Sequence, residues 1–203
     1  PPRSTLFPYT TLFRSILKLI KKGETLDDIR RCMGGLQRQG VDVVAFFILG
    51  LPGETVEHVF NSFDFALQYP GISNVHFFEP KPFEGTELFE ICRENGYFLQ
   101  NVNTDRKKGD KIPIATPQLP VSIRQELMKL APRVKSAVKM QYDLYKQAQK
   151  LSQSKRDILM KDLQRIRDEI EQAKNVIRAM ANSQNLSARS EEHTSELQSR
   201  QVI

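Results

Sequence analysis

Hydrophobic positions change period several times along this chain. Leu26, Ile29, Met33 and Leu36 recur at helical spacing. Thr25 stands where an N-cap is needed, and Asp27 and Asp28 follow in the first turn, where the helix dipole favours acids. Gly34-Gly35 weakens the centre of that helix, and Gly40 can stop it. Residues 16–22 are apolar and then basic, closed by Gly23, like the end of an earlier helix. Residues 41–49 (VDVVAFFIL) form a short apolar run rich in β-branched and aromatic side chains. That run predicts a strand buried on both faces, the pattern of a parallel sheet. Residues 50–55 (GLPGET) predict a tight loop. Residues 56–68 then place Val56, Val59, Phe60, Phe63 and Leu67 on one helical face, ended by Tyr69-Pro70-Gly71. Residues 73–79 (SNVHFFE) read as a second strand, 80–85 as a Pro/Gly loop, and 86–94 as a third helix stopped by Asn95-Gly96.

Strands alternating with helices imply βαβ units and a parallel sheet. Two strands are too few for such a sheet, so it is expected to continue in strands encoded before Ile16. In barrels and doubly wound sheets alike, ligands bind at the carboxyl ends of the strands. GLPGET and EPKPFEGT are therefore expected together at the active face.

The second half has another character. Residues 101–120 are polar, hold Pro113, Pro117 and Pro120, and predict a linker or strap. Ser122 is placed to cap a helix with Gln125 at the third position, a capping box. The helix runs to residue 151, with Pro132 as a break. Leu159, Leu163, Ile166, Ile170, Ala173, Ile177 and Met180 then alternate spacings of four and three, a coiled-coil seam. Two arrangements satisfy that seam: a hairpin in which 121–150 packs back on 155–182, or an exposed helix that self-associates. The hairpin is preferred, because about three heptads are marginal for a free coiled coil.

Charge sharpens this division. The 203 residues carry 30 Lys+Arg and 24 Asp+Glu, a net of +6. Residues 16–100 hold 8 basic and 12 acidic side chains, and 101–187 hold 18 and 9, so the halves carry −4 and +9. In the basic half only Tyr142 and Tyr145 lie among the cations, too few for the stacking platform of a single-strand binder, and its charge reads as a solvated face. No run of eighteen apolar residues occurs, which excludes a transmembrane helix. Two cysteines, Cys32 and Cys92, exclude a disulfide framework and point to a reducing, cytoplasmic compartment. His58 and His76 are isolated and read as ordinary packing residues. No GxSxG, HExxH or Walker motif occurs, and GLPGET lacks the Gly-Lys-Ser/Thr ending of a P-loop.

The two ends read differently again. Residues 1–15 (PPRSTLFPYTTLFRS) have neither the charged start nor the apolar run of a signal peptide. Residues 188–203 lack hydrophobic periodicity. Leu12-Phe13-Arg14-Ser15 and Arg189-Ser190-Glu191-Glu192 can be encoded by DNA strands that are reverse complements. Both ends resemble translated sequencing adapter, over residues 5–15 and 189–199. The protein proper is then expected to be 16–187, and the codons at 12–15 and 189–192 test that.

FFILGLPGET, a helix, a strand and PFEGTELFE, in that order and ending at Asn95-Gly96, resemble the C-terminal half of a radical S-adenosylmethionine (radical SAM) barrel. The stretch ILKLIKKGETLDDIRRCMGGLQRQG fits ahead of it. The resemblance covers about residues 16–98 and is greatest to enzymes with a cobalamin-binding domain upstream. It implies an α/β fold, the last βα units of a truncated TIM-like barrel, over 16–100, followed by the linker and the helical extension 121–187. It also implies that Ile48 lies against the adenine of S-adenosylmethionine. Gly50 would admit close approach of the nucleoside, Pro52 and Gly53 would shape the turn, and Glu54 would open the next helix. Phe77, Phe78 and Glu79 match the strand whose backbone bonds adenine, with Phe78 adding apolar contact.

The chain departs from that family at its chemistry. The family needs a Cys-x3-Cys-x2-Cys loop for its [4Fe–4S] cluster. Cys32 and Cys92 are 60 residues apart, on predicted helices, and read as idle thiols. The glycine-glycine-glutamate strand for the cofactor's amino group is also missing. The chain alone is therefore expected to bind no cofactor and to be inactive. The expected partner is the missing N-terminal half of the barrel. The alternative reading is a non-enzymatic module whose basic helices bind a partner or RNA.

Overall fold

The computed structural model describes residues 16, 21, 23–99, 114–147 and 150–200, with side chains to 187. The expectations for 1–15, for most of 16–22 and for 100–113 lie outside the described residues. In chain order the elements are α1 (Leu26–Arg38), β1 (Val43–Ile48), α2 (Val56–Gln68), β2 (Ile72–Phe78), α3 (Glu87–Glu94), α4 (Val121–Gln147) and α5 (Gln153–Arg200). The molecule is thus mixed helix and strand. Its sheet has two parallel strands, and no barrel is formed among the described residues.

Local chemistry explains most boundaries. Thr25, Thr55 and Thr86 are N-caps in extended backbone, each accepting a backbone N–H from the first turn. Thr25 and Asp28 complete a capping box, and hydrogen bonds from Thr25 and Arg31 hold the Asp28 carboxyl down at about 2. Gly40, with φ +67, follows the C-cap of α1. β1 and β2 pair from Val43↔Ile72 to Ile48↔Phe78, with Ser73 bulged near the start and its hydroxyl donating to the Val43 carbonyl at 3.0 Å.

One face of this ribbon is buried. Val43, Ala45 and Phe47 of β1 and Val75 and Phe77 of β2 pack with Val59, Phe60 and Phe63 of α2 and with Leu127, Leu130, Val134 and Val138 of α4. α4 lies against both β2 and α2, and α5 covers α4 and reaches α2. The seam of α5 is that contact: Leu163, Ile170 and Ile177 are buried, and Leu159, Ile166, Ala173 and Met180 are half-buried between them. Gln184 Nε2 donates to Ser122 Oγ at 2.8 Å, and Arg167 donates to Gln141 Oε1, so α4 and α5 run antiparallel as a hairpin.

Charge crosses the same boundary. Four cations of α4 and α5 meet carboxylates of the first half. Arg124 pairs with Glu79 at 2.7 Å and Lys146 with Asp42 at 2.5 Å. Lys174 pairs with Asp64, and Arg178 holds Glu57 through two bonds of 2.7 and 3.1 Å. Lys174 is buried, and its ammonium and the Arg178 guanidinium both lie over the Phe60 ring.

Three expectations need correction. β1 is not covered on both faces: Val44, Phe46 and Ile48 alternate with its buried residues and are exposed, Phe46 to 67%. With two strands, helices cover only one side of the sheet. Pro132 does not break α4, which runs through it. Proline removes one N–H of the helix ladder, and the packing of Leu130, Ala131 and Val134 on either side outweighs that loss. No capping box forms at Ser122, because α4 starts one residue earlier and the Ser122 hydroxyl accepts from Gln184 instead. α5 continues as helix through 188–200, because polar residues of fair helix propensity need no apolar period to extend a helix already nucleated.

Phe63 is fully buried under the ribbon, so Phe63→Ala should lower unfolding free energy by about 3–5 kcal/mol in a urea titration. Phe46→Ser, on the bare face, should change it by no more than about 1 kcal/mol while raising the soluble yield. Equal costs at the two positions would contradict this assignment of faces.

Candidate functional site

β1 and β2 end side by side. Leu49 N–H donates to the Phe78 carbonyl at 2.7 Å, the last rung of the ribbon. Beyond it the chain turns through GLPGET. The Glu54 N–H returns to the Leu51 carbonyl at 2.9 Å, closing a four-residue turn. Pro52 supplies a fixed φ at its second position, and Gly53 supplies φ +79 at its third, as a type II turn requires.

Glu54 does not open the next helix. Thr55 is the cap, and Glu54 turns inward, only 3% exposed. Its Oε2 accepts the N–H of Gly50 and, at 3.1 Å, that of Leu51. Burial pushes the carboxyl up to about 7, against the pull of those two amides and of the Arg124 charge. Both bonds fall on one oxygen, which leaves Oε1 to carry a proton when the group is neutral.

Arg124 comes from the first turn of α4 and is 8% exposed. Its guanidinium donates to Glu79 Oε1 at 2.7 Å. It also fills the space beside Gly50. A Cβ on Gly50, whose φ is +95, would stand 3.1 Å from Arg124 Nε and 3.3 Å from Cζ. The close approach that Gly50 permits in this structure is that of a guanidinium.

The expected site residues divide between two faces. Ile48 and Phe78 are register partners on the bare face, both half exposed. Below them Phe46 and His76 stack at 5.1 Å, and Asn74 Nδ2 lies 3.2 Å from His76 Nε2. Gly50, Pro52, Gly53 and Glu54 form the loop at the strand ends, with Pro52 and Glu54 buried and Gly53 exposed. Glu79 is held by Arg124. The Phe77 side chain points the other way, against Phe47 at 5.5 Å and Phe63 at 5.0 Å, so only its backbone belongs with the site. Behind Gly50 and Arg124 is a void of about 10 Å³, one water at most. A groove of about 520 Å³ opens on the other side of Arg124 and Glu79, between Leu99, Ile114, Val121 and Met128.

Two residues of this assembly are not singled out by the sequence reading. Arg124 lies 45 positions from Glu79 in an ordinary amphipathic helix, and only its tertiary burial marks it. His58 is buried and completes the cap of α2: its Nδ1 accepts the Thr55 N–H at 2.9 Å, while Thr55 Oγ1 accepts the His58 N–H at 3.4 Å. A Thr-x-x-His pattern is the available signal, a variant of the capping box.

Cys32 is exposed and Cys92 buried, on α1 and α3, and burial pushes the Cys92 thiol up. Among the described residues no group of three or more His, Cys, Asp or Glu is placed to hold a metal, and no helix is long and apolar enough to cross a membrane. Comparison of the chain with protein-family models, with curated proteins and with solved structures finds no match.

Glu54 gives a signed pH dependence. Its folded value lies above the ordinary 4.5, so its share of stability is fully present below 4.5 and is lost as pH rises through about 7. Relative to Glu54→Gln, the protein should lose on the order of 3 kcal/mol between pH 4.5 and 7.5, read from urea midpoints across that window. A constant difference between the two proteins would show that Glu54 is ionised throughout. Gly50→Ala meets both the positive φ and the guanidinium, and should cost about 1–3 kcal/mol in the same assay.

Proposed function

We propose that this chain is the C-terminal part of a radical SAM barrel. The observation that carries the reading is the bare sheet face. One side of the β1–β2 ribbon is packed under helices, and the other presents Val44, Phe46, Ile48 and Phe78 to solvent, directly below the GLPGET loop. A wall of apolar side chains at the carboxyl ends of parallel strands is what a barrel lumen looks like when its remaining strands are not in place. In the proposed parent enzyme, S-adenosylmethionine would be reductively cleaved to a 5′-deoxyadenosyl radical. Ile48 and Phe78 would stand against the adenine, and the loop from Gly50 to Glu54 would shape the end of its pocket. Glu79 and the backbone at Phe77 and Phe78 would border the same edge.

The [4Fe–4S] cluster does not fit this chain. Three thiolates are needed, and the whole sequence holds two cysteines on separate helices. No step of cluster chemistry is therefore assigned to these residues, and the cluster belongs in the proposal to the missing N-terminal half. A cobalamin-binding domain further upstream is part of the same proposal. The competing reading, basic helices that bind RNA or a protein, has less support. Arg124 and Lys174 are buried against carboxylates of the first half, and Lys146 and Arg178, partly exposed, also bond carboxylates there.

The test is the genomic DNA upstream of codon 16. The frame should remain open and encode Cys-x3-Cys-x2-Cys about a hundred residues earlier, the scale of half a barrel. The joined protein, reconstituted with iron and sulfide without oxygen, should be brown and should release 5′-deoxyadenosine from S-adenosylmethionine when reduced. An unrelated repeat domain in that frame would count against the proposal.

A further inference from the structure

Arg124 touches the ends of both strands. Ile48 and Phe78 are the last register pair, Gly50 lies two residues past the first, and Glu79 lies one past the second. The guanidinium donates to Glu79 at 2.7 Å and occupies the space that Gly50 leaves open, at 3.1–3.3 Å from where its Cβ would be. It does so at 8% exposure, where a charge is costly unless paired. A planar guanidinium presents donors in a fixed fork, so one group can bond Glu79 and still fill the flat space beside Gly50. An ammonium would provide the charge without that plane.

We propose that Arg124 is a positioning residue: it clamps the GLPGET loop against the end of β2, beside the wall that the β1–β2 register makes of Ile48 and Phe78. The use of that wall, to hold a nucleoside, rests on the function proposed above; the clamp does not. Glu54 holds the loop to itself from within, through the N–H groups of Gly50 and Leu51. Arg124 adds a side-chain tie from the loop to the neighbouring strand and to α4, beyond the Leu49–Phe78 backbone bond. This accounts for a glycine at position 50 without a bound ligand, and for a buried arginine that no sequence motif singles out.

The experiment is hydrogen exchange on the full chain, read by mass spectrometry, for the wild type, Arg124→Ala, Arg124→Lys and Glu79→Gln. In Arg124→Ala, peptides covering Gly50 and Leu51 should exchange about tenfold faster or more, with peptides from α2 around Val59 and Phe63 unchanged. Arg124→Lys should fold, keep the charge, and still show most of the local increase, because the fork is lost. Glu79→Gln should show a smaller increase at the same peptide. Unchanged exchange at Gly50 and Leu51 in both arginine variants would overturn the clamp. So would an equal increase throughout α2, which would make Arg124 a general stability residue. The clamp and the function proposed above fail separately: exchange at Gly50 and Leu51 tests Arg124 in this chain, which alone is not expected to bind S-adenosylmethionine, and the upstream reading frame tests the nucleoside wall.

Discussion

A parallel ribbon of two strands is stable in water only if something covers it, because its own hydrogen bonds are too few and too exposed. Here the cover is α2 and α4, laid over Val43, Ala45, Phe47, Val75 and Phe77. The rest of the molecule follows from that burial. α2 lies on this face because it connects two parallel strands and must cross the sheet to do so. α4 completes the cover with Leu127, Leu130 and Val134, and in doing so brings Arg124 to the strand ends. α5 buries what remains of the apolar faces of α4 and α2 with a seam of every third and fourth residue.

Electrostatics reinforces the same docking. The acidic first half and the basic second half meet through Arg124–Glu79, Lys146–Asp42, Lys174–Asp64 and Arg178–Glu57. The partly exposed pairs contribute little individually, since solvent screens them. Lys174 differs, being buried, and its two carboxylates and the Phe60 ring keep it from being an uncompensated charge. The charge asymmetry between the halves is therefore used at least in part within the molecule. That is why a net of +9 on the helices argues only weakly for an acidic partner.

Much of the architecture was legible because it depends on neighbours in sequence. Thr25, legible as a cap from sequence, bonds the residue three positions on; Thr55 and Thr86 cap in the same way, where the sequence pattern points to Glu54 opening α2 and to Thr86 inside α3. Pro52-Gly53 specifies its turn through backbone preference alone. The seam of α5 declares its buried stripe by spacing. At Ser122 and Pro132 the fold overrides local preference, which is small, on the order of one to three kcal/mol, against the packing of the whole α4 face. Phe77 and Phe78 are adjacent and identical, and the sheet sends them to opposite faces. Which of the two joins the core depends on register with β1.

By itself the sequence determined the order of helices and strands, the cap at Thr25, the turn in GLPGET, the seam, and a set of residues that gather at the carboxyl ends of two strands. These are consequences of period and backbone geometry, which act over a few residues. Only the tertiary structure decided that one face of the ribbon stays bare, that Glu54 turns inward to hold its own loop, and that Arg124 fills the space Gly50 leaves. Those three depend on which surfaces are withdrawn from water and on a charge placed 45 residues from its partner. Burial and Coulomb attraction act through space, so no spacing along the chain encodes them.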